Sequence, residues 1–171
     1  MAPEPLNDKL LPENECFGCG LKNPDGLKIR VYRDDANAAR LLGEFEPSSR
    51  MTGFPGITHG GAIFTALDCM ATWAGMLLRG GPKAMWVLRS ASVKYRQPAF
   101  QAAPLKLSAE IEEQGDTWDA IVVHVEARDS QDRRLVEGRF HVVPLPPDRF
   151  LKIARIRELP SDWSGWIERM E

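Results

Sequence analysis

Residues 60–78, GGAIFTALDCMATWAGMLL, constrain this chain more than any other stretch. The run carries one formal charge, Asp68, and is otherwise apolar or small. It begins after a glycine- and proline-bearing entry, GFPGITH at 53–59, and Gly80-Gly81-Pro82 stops it. A helix that is apolar almost all round has to be buried on most sides. The rest of the chain must therefore supply its cover.

The remaining sequence reads mainly as strands. Residues 27–33 alternate Leu27, Ile29 and Val31 against Lys28, Arg30 and Tyr32. A second strand is expected over 40–46, after a turn at 34–37. Four more are expected over 85–96, 105–113, 117–127 and 134–143. Gly115-Asp116 and residues 129–132 supply the hairpin turns. Consecutive strands on short turns imply an antiparallel sheet, and the class is α+β. Residues 1–26 form an irregular arm with a short helical turn near Asp8. An exit loop is expected over 144–147, then short helices over 148–158 and 161–171, with Asp148 and Ser161 as N-caps. Trp163 and Trp166 are expected to pack back on the body. The division is an arm (1–26), a sheet-and-helix domain (27–143) and a C-terminal helical extension (144–171).

A chain of 171 residues can form one domain with a substantial core. Its net charge is −2, from 22 basic and 24 acidic residues, which gives no case for nucleic acid or an anionic membrane. The apolar run over 62–78 is short for a membrane span and contains Asp68. The start, MAPEPLNDKLLPENE, lacks a basic region followed by an apolar one, so no secretory signal is expected. Three cysteines make no disulfide framework. The expected location is the reducing cytoplasm.

Thr58 reads as the helix N-cap, which puts His59, Gly60 and Gly61 in the first turn. Amides there have no intrahelical partner, and the helix dipole adds positive potential. Such a turn can hold a polarised carbonyl or an oxyanion. Two glycines also suit a helix that starts tightly against a strand. Asp68 lies seven residues beyond Gly61, roughly 10 Å along the axis. One chain cannot bring both to one carbonyl. Two antiparallel helices across a two-fold axis can, so a catalytic role for both requires a dimer. Among Leu67, Cys69 and Met70, the Asp68 carboxyl is expected to have a raised pKa. It can then act as general base or nucleophile, or be a buried acid held by a hydroxyl or amide.

Cys16-x-x-Cys19 is half of a zinc motif, and no second Cys/His pair sits at ligand spacing. Nor does it follow a strand and open a helix, as a redox pair would. Both cysteines read as small packing residues in a tight turn, and no metal or cofactor is expected. No Ser lies in a G-x-S-x-G turn.

Three segments together resemble the hotdog-fold acyl-CoA thioesterases of the phenylacetate-degradation type. They are CFGCGLKNPDGL at 16–27, GFPGITHGGAIFTALDCM at 53–70, and VKYRQPA at 93–99. The resemblance implies a curved antiparallel sheet around the long helix, in a homodimer or a dimer of dimers, without metal. It implies that the Gly60 amide polarises the thioester carbonyl and that His59 helps place it. Asp68 of the partner subunit then serves as base or nucleophile. Gly61, Phe54, Trp73 and Met76 are candidate acyl-site residues. Phe64 and Trp86 are candidates for setting its depth. Lys94 and Arg96 are candidates for CoA phosphates, or plain solvated strand charges.

Two positions depart from the family pattern. A Ser or Thr commonly stands seven residues before the strand Tyr, where this chain has Leu88. Ser90 or Ser92 can stand in, or a bulge near Arg89 can shift the register. An amide side chain often stands six residues before the His, where this chain has Gly53, leaving Thr52 or water to serve. The rival reading is a hotdog protein that binds acyl-CoA or an acyl carrier without hydrolysing it. A hydratase would need a separately placed His, and His124 and His141 lie on late strands.

Overall fold

The computed structural model describes residues 4–79, 84–114, 120–159, 161 and 163. A one-turn helix, α1 (Leu6–Leu10), precedes strands β1 (Arg30–Arg33) and β2 (Arg40–Phe45). A 3-10 turn (Ser49–Met51) leads to two short strands, β3 (Thr52–Phe54) and β4 (Ile57–Thr58), and then to α2 (Gly60–Leu78). Strands β5 (Met85–Tyr95), β6 (Leu105–Gln114), β7 (Ile121–Arg128) and β8 (Arg134–Leu145) follow, and α3 (Pro147–Ala154) comes after them.

Six strands form one sheet in the order β1-β2-β6-β7-β8-β5, with every neighbouring pair antiparallel. β3 and β4 form a separate ribbon. α2 lies across the large sheet, in contact with β2, β5, β6, β7 and β8. This is the hotdog arrangement expected from the sequence. The shared core contains Leu67, Met70 and Trp73 from the helix and Leu41, Val123 and Phe140 from the strands, all essentially inaccessible. Each large side chain among them contributes about 1.5–3 kcal/mol by leaving water. α2 is long and apolar enough to cross a bilayer, yet the sheet takes up most of its surface.

One stripe of α2 is not covered. Gly61, Phe64, Thr65, Asp68 and Thr72 recur at helical spacing and remain partly accessible. β5 is also a sheet edge, and residues from Arg89 to Ser92 along it are exposed.

Some element bounds differ from expectation for identifiable reasons. β1 starts at Arg30 rather than at residue 27, because Lys28 takes a left-handed φ of 60°. Its ammonium then reaches the carbonyls of Gly20, Leu21 and Asn23. β8 runs through Pro144 where an exit loop was expected. β7 has already ended opposite Val142, so Pro144 has a strand neighbour on the β5 side only, the edge-like setting in which a sheet tolerates proline. α3 starts at Pro147, after Pro146 rather than Asp148. Trp163 packs on Phe150, with ring centroids 5.5 Å apart. Trp166 and most of 161–171, with 117–119, lie outside the described residues. The arm is tied down by Asn7, which is 1% exposed. Its amide donates to the carbonyls of Cys19 and Ile29, and its oxygen accepts from the Val31 amide.

Candidate active site

The site is built on the junction of β4 and α2. The Thr58 amide donates to the Ala99 carbonyl at 2.8 Å, which holds Thr58 in strand geometry. The helix cap therefore falls one residue later than expected. His59 is the N-cap, and its Nδ1 accepts from the Gly61 amide at 2.9 Å. That bond uses the Nδ1 lone pair, so in the neutral ring the proton sits on Nε2 and can be donated outward. It also occupies the Gly61 amide. Among the described residues the Gly60 amide has no protein partner.

Tyr95 fixes the other side of this turn. Its hydroxyl donates to the Gly60 carbonyl at 2.9 Å. A Cβ on Gly60 would lie 3.3 Å from the Tyr95 ring, so glycine is what lets ring and backbone meet. The turn opens into a groove of about 570 Å³ whose lining includes Phe54, His59, Gly60, Ile63, Tyr95 and Arg96.

Asp68 sits two turns further along α2, roughly 12 Å from Gly60 by helical rise. Its Oδ1 is buried without a hydrogen-bond partner. Burial raises its carboxyl from the usual 3.8 to about 6, and negative charge on Cys16 pushes the same way to a lesser degree. A buried carboxylate oxygen with nothing bound to it is costly unless something completes the site.

The description of the family model that matches this chain is "thioesterase superfamily", and it covers residues 55–136. Those residues span the His59–Gly60 turn, Asp68 and the Tyr95 strand. The match takes in 82 of the 171 residues, just under half of the chain. Several solved structures share its hotdog fold. Zebrafish thioesterase superfamily member 2 is 21% identical, with 75% of this chain and 90% of that one covered at a TM-score of 0.61. The PaaI protein of the Escherichia coli phenylacetic acid degradation operon is 16% identical, covering 70% and 81% at 0.60. A Streptococcus pneumoniae hypothetical thioesterase solved with coenzyme A is 18% identical, covering 68% and 87% at 0.58. No curated protein matches the chain.

Within this hotdog fold, the candidate residues fall into two groups. Phe54, His59, Gly60 and Arg96 meet at the groove, with Gly61 beside them. Arg96 is also ion-paired with Glu137. Phe54 is 73% exposed. The others lie apart from the turn. Trp73 is in the core, its indole N–H directed at the Cys19 sulfur at 3.3 Å. Met76 and Trp86 are buried, and Phe64 stacks on Phe140 with centroids 5.4 Å apart.

β5 does contain an irregularity at Arg89: Leu88 pairs with Val142 but Ser90 with His141. Beyond it, Ala91 pairs with the core residue Phe140, which turns Ser90, Ser92 and Lys94 to the opposite, outer face. Neither serine therefore reaches the turn as a stand-in. Ser92 and Lys94 line a separate small cavity with Glu112 and His124. Thr52 is occupied too, donating to the Ser49 carbonyl and accepting from Gln101, both at 2.6 Å.

Two features escaped sequence reasoning. Tyr95 was seen only as part of a motif, although its hydroxyl locks the turn. Cys69, next to Asp68, joins Cys16 and Cys19, with the three sulfurs within 4.8 Å of one another. No sequence spacing signals that, because Cys69 comes from the helix some fifty residues later.

Proposed function

We propose that this protein is an acyl-CoA thioesterase acting as a homodimer in the reducing cytoplasm. The observation that carries the reading is the pairing of an open Gly60 amide with an orphaned, buried Asp68 oxygen on one helix. They are too far apart to serve one carbonyl within a chain. Antiparallel packing of two α2 helices along the uncovered stripe puts each turn against the partner's Asp68. The open edge of β5 is available to the same contact.

In this scheme the thioester carbonyl oxygen accepts from the Gly60 amide and from His59 Nε2–H. Asp68 takes a proton from water as the water oxygen attacks the carbonyl carbon. The resulting oxyanion stays on the same donors. Collapse breaks the C–S bond, and the leaving CoA thiolate takes up the proton. The products are a carboxylic acid and free CoA. The apolar lining of the groove, with Phe54, Ile63 and Tyr95, suits a small or aromatic acyl group. The fold neighbours solved with coenzyme A or encoded in a phenylacetic acid degradation operon support this substrate class.

A panel of acyl-CoA esters with a thiol-detecting dye tests the activity. Release of CoA from at least one short or aromatic ester is expected. No release across the panel would favour the binding-only alternative, which Leu88 in place of a hydroxyl residue suits. Complementation tests the shared site. Asp68→Asn and Gly60→Val chains are each expected to be nearly inactive. After subunit exchange, half the dimers hold one intact site, so about a quarter of the native rate returns. A mixture no faster than its parents would refute a site shared between subunits.

A further inference from the structure

Two groups of three ligating side chains come together among the described residues. His124, Glu126 and Glu137 form one, and it is already neutralised: Glu126 is paired with Arg128 and Arg134, and Glu137 with Arg96 and Arg134. Cys16, Cys19 and Cys69 form the other.

We propose that Cys16, Cys19 and Cys69 bind one Zn²⁺ through three thiolates, fastening the N-terminal loop to α2. Zinc–sulfur bonds of about 2.3 Å in a tetrahedron put ligand sulfurs about 3.8 Å apart. The three sulfurs already lie within 4.8 Å of one another, so a contraction of under about 1 Å closes the site. Cys16 is exposed, which leaves a fourth position for solvent.

The surroundings suit thiolates better than neutral packing thiols. Cys19 receives the Trp73 indole N–H at 3.3 Å and the Asn14 amide at 3.7 Å. N–H groups aimed at sulfur stabilise its charged form and fix the ligand's direction. The backbone is shaped to the same end. A Cβ on Gly18 would fall 2.2 Å from the Cys69 sulfur, so glycine is what admits that third sulfur to the loop. A Cβ on Gly20 would strike the Cys16 backbone at 2.4 Å. The motif is thus a two-cysteine knuckle closed over one helix cysteine, which explains why no second pair is found in the sequence.

The test uses the full chain, purified without chelators or immobilised metal, and two probes. Elemental analysis after dialysis against a weak chelator is expected to give about one zinc per chain. Cobalt(II) loaded in its place should show a near-ultraviolet thiolate-to-metal band and the strong visible bands of a four-coordinate site. Cys16→Ser should lose that band and weaken zinc binding by more than about a hundredfold. Trp73→Phe, which removes only an outer donor, should weaken it about tenfold. Cys69 is part of the core, so its variants test folding as well as binding, and the cobalt spectrum of the unaltered chain decides by itself. A cobalt spectrum without the thiolate band overturns the site. So does zinc uptake that Cys16→Ser leaves unchanged, or a reduced, folded chain that takes up no zinc.

Discussion

Asp68→Asn separates the cost of the carboxylate from its use. In the native chain, burial lifts its pKa from 3.8 to about 6. A shift of about two units corresponds to about 3 kcal/mol between the two protonation states. Asp68 is only partly buried, so water screening reduces this to about 1–2 kcal/mol. The sign follows from linkage. The folded state holds the proton more tightly than the unfolded chain, so stability is lost as pH rises from about 4 to about 6. Above that the full penalty stands; below about 4 both states are protonated and it vanishes. Asparagine is neutral throughout and nearly isosteric. The variant should therefore be more stable than the native chain at pH 8 by about 1–2 kcal/mol, or about 2–8 °C in melting midpoint for a chain of this size. At pH 4 the two midpoints should coincide. Its thioesterase rate should fall by about 10²–10⁴. Paired melts at the two pH values, with circular dichroism to confirm the fold, measure this. Equal stability at pH 8, or a loss there, would refute the claim that an uncompensated carboxylate sits on the open stripe of α2.

The acyl-CoA rate should rise with pH through about 6 and then level off, because Asp68 must be ionised to accept a proton; a rate already level at pH 5 would exclude it as the base. Tyr95→Phe removes the 2.9 Å bond to the Gly60 carbonyl and should cost about tenfold in kcat with a smaller change in KM. An unchanged kcat would mean that the turn holds its shape without that bond. Gly75→Ala drives a Cβ to 2.6 Å from the Trp86 ring and should lower stability by about 1–3 kcal/mol, read from denaturant midpoints.

The sequence contained enough to place α2, its lone acid and the six strands of the sheet. Those depend on periodicity, which a single chain displays openly. The one-residue error at the helix cap has a local cause. Thr58 and His59 are both competent caps, and the choice is made by the bond from Thr58 to Ala99, forty-one residues away. The directions of Trp73 and Phe64 could not be read. α2 is apolar on every side, so its moment does not say which aromatic faces the sheet and which faces outward. Cys69 was hidden for the same reason: its significance comes from the arm folding back over the helix.

The irregularity at Arg89 follows from parity. Trp86 faces α2 and packs on Gly75, while Tyr95 faces α2 and bonds Gly60. They are nine residues apart, and alternate strand residues point to opposite faces, so an unbroken strand cannot turn both inward. With Trp86 inward, unbroken alternation would carry Ser90, Ser92 and Lys94 toward the helix and expose Val93. Burying the Lys94 ammonium there, with no partner, would cost several kcal/mol. One extra residue resolves the conflict: Arg89 is accommodated opposite His141, and the faces exchange beyond it. The strand can then anchor the far end of α2 with Trp86 and present Tyr95 to the turn at its start. The bulge is therefore part of how the Gly60 amide is held open, and the missing hydroxyl at Leu88 lies on the side of the bulge that serves the core.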